Sequence, residues 1–385
     1  MNITVLAGPR NTLDLSNESR LMRDVEDQLQ ELEPSAGPLT TILMKLQTVN
    51  ATQFLIEWEE DQLLPDFDQL TAALTAGAAT MTVANFAYYR AGDLVKINDY
   101  ETVLVSATPT ANPVSITRSY GSVAAVAAAN GARVYIVSDA GAEFDSYRDQ
   151  LTTQKVNKYN YIQDIASPCS FTRTAMASNT FAGKDRPQEQ RKAMIEQKKK
   201  IEKMIINGQP YNDTSGSEPR RTAAGLEYYI QTNVRDFSGG FTEPGFEDWI
   251  RTCSRYGSDE KLLIASPKFC QSINAFARGK LKTMNGKQNY GVTVTKYENA
   301  GRVIGIVEEK LLTNLSLNDL SGQAGYGFLI DPAYVKLAYL QGNGNKLEEN
   351  LQNPGIKGIV DEVRASVGFK LFLEQTHGMA TGVMD

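Results

Sequence analysis

The stretch DRPQEQRKAMIEQKKKIEKMIINGQ, residues 185–209, holds seven basic and four acidic side chains around a few apolar ones. Met194, Ile201 and Ile205 recur at intervals of seven and four, so in a helix they would share one narrow edge. A proline lies near the start of the stretch, and a glycine and a second proline end the pattern. The stretch therefore predicts a helix over 186–207, with that apolar edge on a core and its mixed charges facing solvent or another molecule.

The size and charge of the whole chain limit what this helix can serve. With 385 residues the chain exceeds the usual size of a single core, which predicts two or three packed units. A formal net charge of -6 argues against a protein whose main task is to bind phosphate backbones. Glutamates interleaved with the lysines of the helix point the same way. Any nucleic-acid contact should therefore be weak and local.

Cysteine spacing and the apolar segments indicate the redox environment of the protein and whether it is exported or bound to a membrane. Cys169, Cys253 and Cys270 match no metal or redox pair, which predicts a reducing compartment and no structural zinc. The first residues lack the basic head and apolar run of a signal peptide, and no window of about 18 apolar residues exists. The sequence predicts a protein with no membrane association that is not exported by that route.

Residues that could carry catalysis are scarce. The only histidine, His377, lies near the end of the chain, where we expect a surface or partly buried side chain without a catalytic role. Serine or cysteine nucleophiles then have no histidine base nearby. The runs at 278–288 and 341–346 lack the spacing of a phosphate loop or a dinucleotide fingerprint. The sequence predicts no catalytic residue, no cofactor and no metal site, and hence not an enzyme.

Two segments predict long strands that flank a separate β-rich block. QFLIEWEEDQLLPDF, residues 53–67, alternates apolar and polar residues before an acidic run, and residues 145–165 form a charged strand that would pair with it. A metal site in the acidic run is less favoured than a solvated strand or a partner for basic neighbours. Between them, residues 70–138 hold short strands about ten residues apart, which predicts a small inserted β-barrel or sandwich. Residues 223–340 mix helices and strands, so the overall class is α+β.

In this order the parts resemble the major capsid (major head) proteins of tailed bacteriophages, which have the Hong Kong 97-type fold. More narrowly, the chain is similar to the subgroup with a β domain inserted in the extended loop. The ordered set, from about residue 33 onward, carries the resemblance rather than any single motif. Its segments are EPSAGPLTTIL with FLIEWEEDQL, AGDLVKI with ETVLVSA and ITRSYGS, KVNKYNYIQDI, EKMIINGQ with GLEYYI, LLIASPKFCQSINAF and GFLIDPAYVKLAYLQG.

The resemblance implies a layout of four parts. These are an N-terminal arm of residues 1–50; an extended loop of 51–165 with the β insertion near 70–138; a peripheral domain of 166–222 and 339–385 with its spine helix 186–207; and an axial domain of 223–338. In the family, the extended loop lies across a neighbouring subunit. The candidate assembly residues are then Trp58, Glu59, Glu60 and Asp61 on the first strand, Arg148, Lys155 and Lys158 on the return strand, and Lys199 on the helix.

The resemblance also implies a function and partners. The chain would self-assemble as hexamers and pentamers (hexons and pentons) into an icosahedral head around double-stranded DNA, in the virion, after assembly in the host cytoplasm. Its further partners would be a separate scaffolding protein, a portal, a decoration protein, and packaged DNA through weak non-specific contact. The alternative function, suggested by residues 70–138, is a β-rich carbohydrate- or receptor-binding virion surface protein.

Overall fold

The computed structural model describes residue 39 and residues 48–141, 143, 149–178, 185–276, 281–283, 295–299, 302–314 and 325–383. The chain forms two compact units. We call Met1–Glu57 with Tyr159–Asp385 the main unit, and Trp58–Lys158 the barrel unit. Of the arm predicted over 1–50, only residues 39 and 48–50 are described.

Strands and helices are numbered in chain order. Up to residue 161 the strands are β1 (Thr48–Ala51), β2 (Leu55–Glu60), β3 (Phe67–Gln69), β4 (Thr80–Met81), β5 (Asp93–Ile97), β6 (Glu101–Val105), β7 (Val114–Thr117), β8 (Arg133–Asp139) and β9 (Val156–Tyr161). Those that follow are β10 (Gln163–Thr172), β11 (Tyr211–Asp213), β12 (Arg220–Thr222), β13 (Val234–Asp236), β14 (Glu260–Ala265), β15 (Leu281–Thr283), β16 (Thr295–Asn299), β17 (Arg302–Glu308), β18 (Gly325–Ile330), β19 (Val335–Leu340), β20 (Lys346–Glu348), β21 (Gly358–Leu371) and β22 (Gly378–Val383). The described α-helices are α1 (Arg173–Ala177), α2 (Asp185–Asn207), α3 (Leu226–Tyr229), α4 (Glu243–Cys253) and α5 (Pro267–Phe276).

A five-stranded sheet in the main unit supports the long helix α2. Its strand order is β1-β19-β21-β10, and β20 pairs with β21. β10 and β21 are antiparallel over ten residue pairs, from Gln163 opposite Val367 to Thr172 opposite Gly358. Helix α2 packs against both of these strands. The helix therefore rests on the part of the sheet where pairing is longest.

The face that α2 buries differs from the predicted edge. Ile201 and Ile205 are fully buried, but Met194 is 40% exposed, so its placement on the buried edge is wrong. Gln197 faces β10 instead: its Nε2 donates to the Ile165 carbonyl at 2.6 Å, and its Oε1 accepts from a β10 serine hydroxyl at 3.1 Å. With Gln197 on the sheet side, the alanine one helical turn before it also faces the sheet, and Met194 does not.

A seven-stranded sheet forms the second layer of the main unit, in the order β13-β22-β18-β14-β17-β16-β15. Helices α4 and α5 supply apolar side chains to the core beside it, which is rich in aromatic rings: Phe237, Phe246, Trp249, Phe269 and Tyr297. These rings pack mostly edge to face, the arrangement that their quadrupoles favour. Burial of rings of this size contributes substantially to the stability of the main unit.

The C-terminal segment 339–385 divides between the two sheets of the main unit. β21 lies in the five-stranded sheet, whereas β22 pairs with β13 and β18 in the seven-stranded one. β22 can approach α4 because its first residue is Gly378. A Cβ there would overlap the Cys253 sulfur and the Trp249 ring. The segment that the sequence analysis treated as one part of the peripheral domain thus contributes strands to both sheets.

The barrel unit is a six-stranded sheet that closes on itself. The strand order is β3-β8-β5-β6-β7-β4, and a bridge between Leu70 and Val83 joins the two outer strands. Hydrogen bonds from Thr71 N–H to the Thr82 carbonyl (2.9 Å) and from Ala84 N–H to the Gln69 carbonyl (3.0 Å) flank this bridge. Alternating residues of β5 and β6 are buried inside. Closure removes the open edges that a six-stranded sheet would otherwise expose.

A buried ion pair fixes one end of the barrel. Glu101 accepts from Arg118 Nε at 2.7 Å and from the N–H groups of Ser119 (3.1 Å) and Val126 (3.2 Å). Arg118 also donates to the carbonyls of Thr75 (2.6 Å) and Val126 (2.9 Å). Burial opposes ionisation of Glu101, but these hydrogen bonds hold its pKa below the ordinary value. The pair therefore ties β6 to the loop that follows β7.

Candidate assembly surfaces

The acidic end of β2 lies in the barrel unit and alternates between buried and exposed side chains. Trp58 is 8% exposed, and its Nε1 donates to Glu60 Oε1 at 2.9 Å. Glu59 points to solvent, and Asp61 Oδ1 accepts from the Thr153 hydroxyl at 3.0 Å. The run thus presents carboxylates on the outer face of a strand whose other face is apolar.

The return strand brings one of its predicted cations to this acidic end. Lys155 Nζ lies 3.3 Å from Glu59 Oε2, with both side chains 65% exposed. Lys158 is half-buried, and Arg148 lies outside the described residues. An ion pair this exposed contributes less than about 1 kcal/mol to stability. Its charges therefore remain available to another molecule at little cost to the fold.

Lys199 belongs to the main unit and is half-buried on α2. The strongest charged contact of that helix is elsewhere, at Asp361 of β21, which is fully buried. Arg186 Nε donates to it at 2.7 Å, Gln190 Nε2 at 2.8 Å and the Asn350 N–H at 2.9 Å. Burial would raise the pKa of Asp361, but these donors hold it below the ordinary value.

The sequence analysis missed this anchor. Its signal is a lone aspartate within the long apolar alternation of β21, the kind of residue that needs a buried cation. Arg186 lies 175 positions away in the chain, and no local pattern relates the two. The contact ties the start of α2 to the sheet, so it positions the helix rather than offering a binding surface.

His377 is fully buried, so the prediction of a surface or partly buried side chain is wrong. Its Nδ1 accepts the N–H of Asp331, and its Nε2 lies 3.2 Å from the Phe372 carbonyl, which fixes the neutral Nε2–H form. The Asp331 carboxylate in turn accepts from Ser258 and lies 3.8 Å from Lys261 Nζ. The turn before β22 carries the histidine into this network, which joins both sheets of the main unit.

Acid is expected to destabilise the main unit through His377. Burial lowers the pKa of His377 to about 4 from 6.5. As the pH falls below 6.5, the unfolded chain binds a proton at this imidazole, whereas the folded chain does not bind it until the pH approaches 4. The free energy of unfolding should therefore fall by about 3 kcal/mol by pH 4. Because the chain has one histidine, its imidazole proton resonance can be followed by NMR.

The matched control for this prediction is His377→Gln, which cannot titrate. Its free energy of unfolding should depend less steeply on pH between 6.5 and 4 than that of the unaltered chain. An imidazole resonance that titrates near pH 6.5 in the folded protein would contradict the buried, neutral assignment.

Other classes of site find little support in the part of the chain that the structure describes. There, no group of three or more His, Cys, Asp and Glu side chains could hold a metal ion. No described helix is long and apolar enough to cross a membrane. The cysteines Cys169, Cys253 and Cys270 are free thiols.

Solved structures with a similar fold are shell proteins by their titles. The capsid of an empty GTA particle aligns with a TM-score of 0.53 and 7% identity, over 98% of this chain and 100% of that one. The SrpI encapsulin of Synechococcus elongatus aligns with a TM-score of 0.50 and 8% identity, over 98% and 97%. At these identities the similarity concerns the fold alone, which is that of capsids and encapsulins of the Hong Kong 97 type.

The sequence itself provides the assignment to a family. No curated protein matches the chain. The model of the SU10 major capsid protein family, in contrast, matches residues 8–384, which includes both units. A match over nearly the whole length, on a fold shared with shell proteins, shows that the chain belongs to the SU10 major capsid protein family and is a phage-type major capsid protein.

Proposed function

We propose that the chain assembles as hexamers and pentamers into an icosahedral head that encloses double-stranded DNA. The observation that carries this proposal is the family match over residues 8–384. A separate scaffolding protein, a portal and a decoration protein would join the copies, and assembly would take place in the host cytoplasm. The segment 70–138, which suggested a carbohydrate- or receptor-binding protein, lies inside the matched range, so the capsid function accounts for it as well.

The proposed layout follows the two sheets. The five-stranded sheet with α2 would be the peripheral domain, and the seven-stranded sheet with α4 and α5 the axial domain. The barrel unit would be the β domain inserted in the extended loop, and the chain would then belong to the subgroup with that insertion. Compared with the predicted boundaries, β22 moves to the axial domain, while β1 and β19 join the peripheral one.

The proposed contact between copies lies on the ribbon formed by β2 and β9. Among the described strands each pairs only with the other, and a two-stranded sheet alone is marginal in water. Its barrel-unit end carries Trp58 and the candidate residues Glu59, Glu60 and Asp61, together with Lys155 and Lys158. An exposed ribbon of this kind gains support from a neighbouring subunit, as obligate assemblies require. On this proposal Lys199 also contacts a neighbour, as does Arg148, which lies outside the described residues.

Reversing the ribbon charge should block assembly and spare folding. Glu59→Lys with Asp61→Lys changes two exposed carboxylates, so the free energy of unfolding should change by less than about 1 kcal/mol. On this proposal the acidic ribbon faces a basic surface of the neighbouring subunit, so the reversed charges should slow association and weaken it. Sedimentation velocity of the purified variant would show unassembled subunits where the unaltered chain forms large particles.

The matched control makes the same charge change elsewhere on the barrel unit. Asp66→Lys with Glu143→Lys alters two exposed acids outside the ribbon, so assembly should proceed. If both double variants assemble equally well, the ribbon is not a contact between copies.

A further inference from the structure

A cluster of three lysines lies at the C-terminal end of α2. Lys200 and Lys203 are exposed, and Lys199 is half-buried. At spacings of three and four residues, Lys203 is a helical neighbour of both others, and like charges at that spacing destabilise a helix by a few tenths of a kcal/mol per pair. Glu196 is the one exposed acid within a turn, since Glu202 is buried and accepts the Leu39 N–H. The cluster thus holds more positive charge than the helix balances.

The contacts of two of these lysines leave their charge unmatched. Lys200 Nζ donates to the Ala166 carbonyl and to the Ser167 hydroxyl, both at 2.8 Å, and both are neutral oxygens. Lys203 makes no hydrogen bond or ion pair within the described part of the chain. A partner with negative charge would therefore gain from both ammonium groups.

An open groove of about 690 Å³ runs beside the cluster. Lys200 and Lys203 line one side, Ile165 and Ala166 of β10 line another, and Asp164 also contributes. The Asp164 carboxylate is engaged by the Ser366 hydroxyl. Among the described residues no aromatic ring lines the groove, so these residues offer bases nothing to stack on. The surface offers point charges and a channel, and nothing that would read a base.

These features fit an extended chain of anions. Lysine ammonium groups are compact charges without the planar fork that selects a particular carboxylate, so they suit a phosphate backbone at any sequence. The acidic ribbon of a second copy fits less well. It carries a cation of its own, since Lys155 Nζ lies 3.3 Å from Glu59 Oε2, whereas a phosphate backbone is negative along its whole length.

We propose that Lys200 and Lys203 bind the phosphate backbone of double-stranded DNA and mark the side of the subunit that faces the packaged genome. The second half of this statement rests on the proposed function. The net charge of -6 opposes tight binding of DNA to the chain as a whole, so the contact should be weak and independent of sequence.

The test uses the unassembled full-length chain and a short linear DNA duplex. Fluorescence anisotropy over a salt series gives the slope of log affinity against log salt. Lys200→Gln with Lys203→Gln removes two phosphate contacts, so the slope should become shallower by about 2. The control, Arg173→Gln with Lys357→Gln, removes the same charge from two exposed cations away from the groove and should keep the original slope.

The outcomes separate this proposal from the function on which it rests. It is overturned if the unaltered chain binds no DNA at low salt, or if the lysine variant keeps the original slope. It is also overturned if the variant binds DNA normally but fails to assemble, since the cluster would then contact another copy. Because binding is measured on unassembled protein, failure of the unaltered chain to form shells would reject the capsid proposal without affecting this result.

Discussion

Ile201→Asp is expected to abolish folding of the main unit. Ile201 is fully buried where α2 packs on β10 and β21. An unpaired carboxylate buried there costs more than about 4 kcal/mol, a large part of the 5–15 kcal/mol that stabilises a typical domain. Urea unfolding followed by circular dichroism should show no cooperative transition for the main unit.

Met194→Asp is the matched control on the same helix. Met194 is 40% exposed, so the same carboxylate stays in water and the free energy of unfolding should fall by less than about 1 kcal/mol. Lys199→Glu should likewise fold and at most perturb assembly or DNA binding. If Met194→Asp and Ile201→Asp both unfold the protein, the helix faces the sheet through the edge predicted from spacing alone.

Arg118→Leu is expected to destabilise the barrel unit by about 3–5 kcal/mol, because it leaves the Glu101 carboxylate buried without its cation. The side chains of both residues are less than 10% exposed, and the loop through Ser119 and Val126 is held by the same carboxylate. The expected result is a lower urea midpoint for the barrel unit in the full-length chain. A probe within that unit is needed, since two units can unfold separately.

The control for Arg118 is an exposed ion pair in the same unit. Lys155→Leu breaks the contact with Glu59, in which both side chains are 65% exposed, and should change the free energy of unfolding by less than about 1 kcal/mol. Equal losses for the two variants would mean that the Glu101 pair is solvated rather than buried.

Local patterns in the sequence predict the elements well. The helix expected over 186–207 is observed as Asp185–Asn207, because a glycine and a proline follow it directly. The short strands predicted within residues 70–138 are observed from β4 to β8, separated by turns. Both predictions depend only on residues within a few positions of each other.

Contacts between distant residues are where sequence reasoning fails. Helical spacing placed Met194 on the buried edge, but a contact from Gln197 to a strand more than thirty residues earlier decides which face is buried. The pairing of β22 with β18 and the burial of His377 depend equally on distant strands. Among the candidate assembly residues, the acidic run of β2 can be recognised from the sequence alone. Its pairing with Lys155, 96 positions away, required the fold.

Electron microscopy of the purified chain under assembly conditions, with a scaffolding protein supplied, tests the capsid assignment most directly. The account predicts closed shells of icosahedral symmetry in which hexamers and pentamers of this chain can be resolved. Small monodisperse particles under every condition, without shells, sheets or capsomers, would contradict it.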